Sequence, residues 1–436
     1  MNTSQSARSP SWKWWVCGAL LLATFLNYMD RQSLSVLLPE LKTQYQLAEK
    51  RIGLLEGCFG FAFAFGSLFF GFVADRTGPR LLYPIVLVGW SFAGIATGFA
   101  GQPWVTSHFE FADDEPGAGP FRWFVMCRVI LGFFEAGHWP CALITVRQIL
   151  TARDRPFGNA LLQSGASLGA ILVPLYVELV QRFDAGWEFV FWSVGVVGLL
   201  WVPLWSVLIR RDDFRVMNPV EQVETSSAPT SFLRQLLVLA IVVSCLTISW
   251  QFLRAWLALY LQTTYGFSST TTRLCVSGYF VSADIGCLLA GILVTVLVGR
   301  GWSVDSARRL GFFGFSLLTA LAAIVPVSGS STIAVVLLML AGAGILGLHP
   351  YYYALAQELP AKRMGIYSGA LAAMGWVASS VFQIYIGAEI QATKSYGVGL
   401  VIVGCAPMVA FAALMLLWRK PGKIFSRRDA ETQREE

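Results

Sequence analysis

The sequence predicts an all-α membrane protein of twelve transmembrane helices, arranged as two six-helix pseudo-symmetric halves. Three observations carry that prediction. The chain is 56% hydrophobic and 13% charged, whereas a soluble domain is typically about 25% charged, so lipid is the solvent. Cut at its charged and Pro/Gly-rich breaks, it yields apolar runs long enough for a bilayer, which takes roughly 20 residues per helix. Its longest polar break, "RRDDFRVMNPVEQVETSSAPTS" at 210–231, falls near the midpoint.

The spans read in order are 12–39, 52–74, 81–100, 121–149, 157–179, 187–209, 232–262, 271–299, 307–326, 331–357, 364–390 and 396–418. The domain plan is a first bundle (1–209), a cytoplasmic linker (210–231), a second bundle (232–418) and a cytoplasmic tail (419–436). The stretch before the first span is short and polar and no small-residue cleavage site follows, so that span is a retained helix. With both termini cytoplasmic, the inside segments hold 22 Lys/Arg and the outside loops 7, which is the positive-inside pattern. The net charge of +6 is therefore a topology signal and does not point to nucleic acid. The eight Cys have no zinc or redox spacing, and no metal or cofactor is called for.

In the first span Asn27, Tyr28 and Arg31 share a face, while Asp30 points about 100° away. Charges at membrane depth are costly and usually mark a pathway. Arg31 can offer its planar fork to a carboxylate, and Asp30 can take a proton. In the second span Glu56 lies near the outer end, where solvation is expected. The outside loop 101–120, with His108, is a lid, a sensor or a tolerated surface insertion.

The fourth span, "CRVILGFFEAGHWP", puts Arg128, Gly132 and Glu135 on one stripe about 10 Å long. Burial disfavours the charge on Glu135 and a nearby Arg favours it, a balance that proton coupling requires. A static salt bridge is the plain alternative. His138 either extends a proton path or is packed and hydrogen-bonded. Gln163, on a Gly/Ser-rich helix, is a candidate donor to a substrate hydroxyl. In the second half, "GLHPYYYALAQE" gathers His349, Tyr351, Tyr352, Tyr353 and Gln357. These suit a polyhydroxylated ligand, or else an interfacial aromatic belt. Asp284, Arg254 and Trp376 are weighed equally between site and structure. The spacing Gly66, Gly71, Asp75 recurs as Gly286, Gly291, Thr295, a weak internal repeat with the acid replaced.

"GFVADRTGPR" (71–80) resembles the loop motif of the major facilitator superfamily between its second and third helices. The resemblance implies that Asp75, with Arg76 and Arg80, pairs across helix ends to hold the outward-open state. "NYMDRQSLSVLLP", "RVILGFFEAGHWPCA", "GNALLQSGASLGAILVP" and "GRGWSVDSARR" are similar to the anion:cation symporter branch. "NYMDRQ" and "FEAGHWP" look most like its hexuronate transporters. The resemblance implies that Asp30 and Glu135 are protonatable, Arg31 binds the substrate carboxylate, Arg128 couples to Glu135, and Gln163 binds the sugar acid. Tyr28, Arg128, His349, Tyr352, Tyr353 and Trp376 complete the expected substrate site. Phe63 stands where galactonate transporters place a binding Tyr, which argues against galactonate itself.

The expectation is a monomeric, multi-pass protein of a bacterial inner membrane that imports an organic anion, hexuronate-like, together with protons. A proton-driven exporter and a non-transporting sensor are the rivals. With no nucleophile–base pair, an enzyme is not expected.

Overall fold

The computed structural model describes residues 11–111, 114–151, 154–210, 229–356 and 364–418, with Ser9, Asp213 and Leu359. The tail 419–436, most of the linker 210–231, and Gln357 lie outside the described residues. The first half comprises α1 (Trp12–Gln44), α2 (Glu49–Thr77), α3 (Pro79–Thr97), a short α4 (Pro103–Phe109), α5 (Ala118–Glu135), α6 (His138–Ile149), α7 (Arg155–Arg182) and α8 (Trp187–Leu208). The second comprises α9 (Pro229–Tyr265), α10 (Ser269–Gly299), α11 (Val304–Ala320) with a 3₁₀ turn (Leu321–Val327), α12 (Ser331–Ala356), α13 (Met364–Thr393) and α14 (Gly397–Leu417).

Eleven of these segments are long and apolar enough to cross a membrane, α5 and α6 counting as one. The twelfth, α1, is not among them, because Asn27, Asp30, Arg31 and Gln32 interrupt its apolar run. Those residues are nonetheless buried, since α1 packs against α7, α8 and α9 at the centre of the bundle. Start signals are local. Ser268 and Ser303 accept the backbone N–H three residues on, at 3.2 and 3.1 Å, as N-caps do. Pro79 opens α3 directly after Gly78, whose φ of +71° turns the chain at the α2–α3 loop.

The fourth span differs from the expected single helix. It breaks between Glu135 and His138, where a side chain on Gly137 would lie 2.7 Å from Val86 of α3. Neighbouring helices close in at that level, and the break places Glu135 at the end of α5.

The weak repeat in sequence has the same surroundings in both halves. A Cβ on Gly66 would meet the Phe133 carbonyl of α5, and one on Gly286 the Ala343 backbone of α12, while Gly71 and Gly291 face open space. The halves meet along α2–α13 and α7–α10, with α1 against α9. The α2–α13 seam is built on Gly53, Gly57, Gly60 and Gly387; a Cβ on Gly387 would lie 2.7 Å from the Glu49 carbonyl and 2.8 Å from Gly53 Cα. The seams are tightest at the end opposite the termini, here the far end. There Arg273 pairs with Glu178 at 2.7 Å and Lys394 reaches Glu49 at 3.7 Å.

Candidate functional site

At mid-depth, α1, α2 and α5 bring together the charges that the sequence places in apolar spans. Arg31 donates from Nε to Glu135 Oε2 at 2.9 Å, and its Nη2 reaches the same oxygen at 2.7 Å. Nη2 also donates to Asn27 Oδ1 at 3.3 Å, one turn earlier on α1. The guanidinium carbon lies 5.1 Å from the Tyr28 ring, 5.5 Å from Phe59, 5.0 Å from Phe63 and 5.6 Å from Trp376, each within the roughly 6 Å over which a ring face attracts a cation. Three of the rings come from the first half and Trp376 from α13, so the second half roofs this pair.

Asp30 stands apart. It is buried, and neither carboxylate oxygen has a hydrogen-bond partner among the described residues. It fits because α3 offers Gly94, whose Cβ would sit 2.7 Å from Oδ1. The 100° offset expected on α1 is therefore what separates it from Arg31.

Two expectations are corrected. Glu56 is not solvated; it is 3% exposed, because α13 covers that turn of α2. Arg128 does not pair with Glu135. Its Nη2 donates to Glu56 at 2.7 Å and its guanidinium lies 4.4 Å from Phe59. Glu56 Oε2 accepts from Arg254 of α9. Arg254 also donates to Ser35 at 2.9 Å, to Gln32 at 3.4 Å and to Gln251. Glu56 thus sits between two arginines, one from each half. Sequence reading missed it by judging depth alone, although Glu56, Phe59 and Phe63 lie on one stripe of α2.

The remaining candidates divide. His138 is fully buried, with Nε2 3.1 Å from the Thr24 hydroxyl and Nδ1 2.8 Å from the Tyr83 hydroxyl. Both nitrogens are thus engaged by neutral groups, the packed alternative. Gln163 is exposed on α7, one turn from Ser167, which donates to Asp284 of α10 at 2.5 Å. Tyr353 is 53% exposed and Tyr352 is buried beside it, ring centroids 5.3 Å apart. His349 Nδ1 lies 3.0 Å from its own Ile345 carbonyl, and its ring lies 6.2 Å from that of Tyr353. Asp75 is exposed and has no ion pair with a described residue; Arg76 lies over Phe72, and the Arg80 carbonyl accepts from Trp205 at 3.1 Å.

The described residues of the loop 101–120 are held to their own half. Arg122 holds Asp114 at 2.6 Å and the Phe109 carbonyl at 2.7 Å, and Arg51 holds Glu115 at 2.7 Å. The Arg122 hydrogen bond brings the Asp114 carboxyl down to about 2. His108 is exposed on the short helix α4 within this loop.

The family model described as Major Facilitator Superfamily matches residues 20–383. The "Probable galactarate/D-glucarate transporter GarP" of Escherichia coli (strain K12) is 26% identical over 430 residues, covering 91% of this chain and 93% of that protein. The "Probable L-galactonate transporter" of the same organism is 25% identical over 420 residues, covering 92% and 88%. Among solved structures, the xylose transporter XylE from E. coli in an inward open conformation superposes with a TM-score of 0.72 at 14% identity, covering 97% of this chain and 99% of that one.

Proposed function

This chain belongs to the Major Facilitator Superfamily, and on that premise we propose that it imports a sugar acid of the hexuronate kind together with protons, by alternating access. One observation carries the reading: two carboxylates are buried here, one bonded to Arg31 (Glu135) and one, Asp30 just before Arg31 in sequence, without a hydrogen-bond partner among the described residues. A carboxylate already bonded to Arg31 competes with a substrate carboxylate for the same fork. Protonation of Glu135 removes that competition, so proton uptake and anion binding favour each other. Asp30, with no hydrogen bond to lose, carries a proton without disturbing the fold.

The relatives described above are named for sugar acids, which supports the substrate class. Arg31 takes the carboxylate, and Tyr28, Gln163, His349, Tyr352, Tyr353 and Trp376 take the polyol. Residues 1–209 and 232–418 move as two bodies joined by 210–231, as in transporters built from repeated halves. With the termini cytoplasmic, the far end is the outside, so a bundle tied there is open to the cytoplasm. An Asp75 without an ion pair is consistent with that state, since its expected role is in the outward-open one.

Reconstituted vesicles test the whole reading. A pH gradient, acid outside, should drive accumulation of radiolabelled glucuronate, and a proton ionophore should abolish it. Accumulation that ignores the ionophore would end the proton-coupled reading; no uptake of any sugar acid would end the substrate reading.

A further inference from the structure

We propose that Asp284 restricts the substrate to a single carboxylate, the far end of the molecule being read through hydroxyl groups. The proposal rests on the sugar-acid reading above and sharpens it. Along α2–α13 the contacts descend from Gly387 to the Phe63–Trp376 pair, ring centroids 4.5 Å apart, which covers Arg31. Along α7–α10 they descend from Arg273–Glu178, through Ser277 donating to the Ile171 carbonyl at 2.9 Å, to Ser167–Asp284. One turn below Ser167, Gln163 is exposed.

The two places are joined through α7. Ser167 faces α10, and Gly169, about 200° further round the helix, packs on Tyr28, whose ring lies 5.1 Å from the Arg31 guanidinium. Asp284 and Tyr353 are both in electrostatic reach of Cys287, and Tyr353 is in reach of Tyr28. The first half therefore holds a covered cation at Arg31, and the second half holds a half-buried anion at Asp284.

Asp284 is half-buried, and the hydroxyl of Ser167 fixes its Oδ1. Its Oδ2 has no hydrogen bond with a described residue and stays available to accept from a ligand hydroxyl. The mid-span arginine of α9 cannot serve a second carboxylate, because Arg254 is committed to Glu56, Gln251, Ser35 and Gln32. A uronate or aldonate anchored at Arg31 offers hydroxyl donors to Asp284. An aldarate offers it a second negative charge, and like charges set together at a binding surface reject the wrong partner.

The test is competition against radiolabelled glucuronate uptake by the full chain in proteoliposomes, using glucarate and the glucarate monoamide. Glucarate should require a concentration at least about tenfold higher than glucuronate, and the singly charged monoamide should compete like glucuronate. Asp284→Asn should bring glucarate to within about threefold of glucuronate. Equal competition by glucarate and glucuronate in the unmodified protein overturns this proposal and leaves the sugar-acid reading standing. So does a monoamide as weak as glucarate, a comparison that needs no variant to fold. Failure of every one of these acids to compete takes down the sugar-acid reading as well.

Discussion

Two charge clusters lie within a few helix turns of each other, and they are built on opposite plans. Glu56 is a single acid between two arginines, Arg128 of the first half and Arg254 of the second. Around Arg31 the ratio is reversed: one arginine, one bonded acid in Glu135, and a second acid, Asp30, without a bond. An acid between two cations holds both neighbours. An arginine bonded to one acid, with a second acid unbonded nearby, leaves an acid whose protonation costs no contact. The difference separates a fastening from the cluster to which the proposed function assigns the protons, although both contain buried ion pairs.

The largest effect expected from breaking this contrast is at Glu56. Glu56→Gln strands two buried guanidinium groups, and losing one partner of a buried pair typically costs about 3–5 kcal/mol. Thermal unfolding of the purified protein should show a far deeper loss than for Glu135→Gln. Equal losses would mean the two clusters are not different in kind. Next is Arg31→Lys. Lysine lacks the bidentate fork, and affinity for glucuronate should fall at least about tenfold, or 1.4 kcal/mol. Wild-type affinity in a binding assay would remove Arg31 from the site.

Glu135→Gln imitates the protonated acid, so counterflow of substrate should persist while accumulation under a pH gradient disappears. A variant that still concentrates substrate would make Glu135 a static bridge. Asp30→Asn sharpens the comparison further. Because neither oxygen of Asp30 has a hydrogen bond to lose, the variant should melt with the wild type and yet uncouple uptake from the gradient. A large drop in melting temperature would show that Asp30 holds the fold.

The smallest effect is at Asp114→Asn, a half-buried pair with Arg122 in the outside loop. Amide exchange in Pro103–Phe109 should quicken while uptake is unchanged; a collapse of uptake would make that loop part of the cycle. The carboxyl of Asp114 is depressed to about 2. Its contribution is therefore complete above the ordinary carboxylate range and is lost only as pH falls toward 2, so the loop should hold across the physiological range.

The twelve spans were legible because bilayer crossing writes itself as length and hydropathy, and even the polar α1 announced its place by having charges worth keeping. Arg31 and Glu135 were legible for the same reason. Their pairing was not. Helix spacing reports which residues share a stripe, as for Arg128 and Glu135, but the partner of each is chosen by the neighbouring helix. Glu56 was misjudged because its burial comes from α13, more than three hundred residues away in sequence. The break after Glu135 had a trace in Gly137 and Pro140, two residues that weaken a helix in close succession.

The seam at the far end meets backbone to backbone, glycine against glycine, and this bears on how quickly the two halves part. Side chains that interlock as ridges and grooves must climb over one another before helices separate. Gly53 and Gly387 present no such teeth, whereas Ile384 of α13 stands against Gly57, and the seam is also held by identifiable bonds, Glu56–Arg254 foremost among them. An alanine at Gly387 would act as a wedge, because its methyl group would sit 2.7 Å from the Glu49 carbonyl. In the alternating-access cycle proposed above, a countable number of latches would then set the pace more than the area of the surface they hold shut.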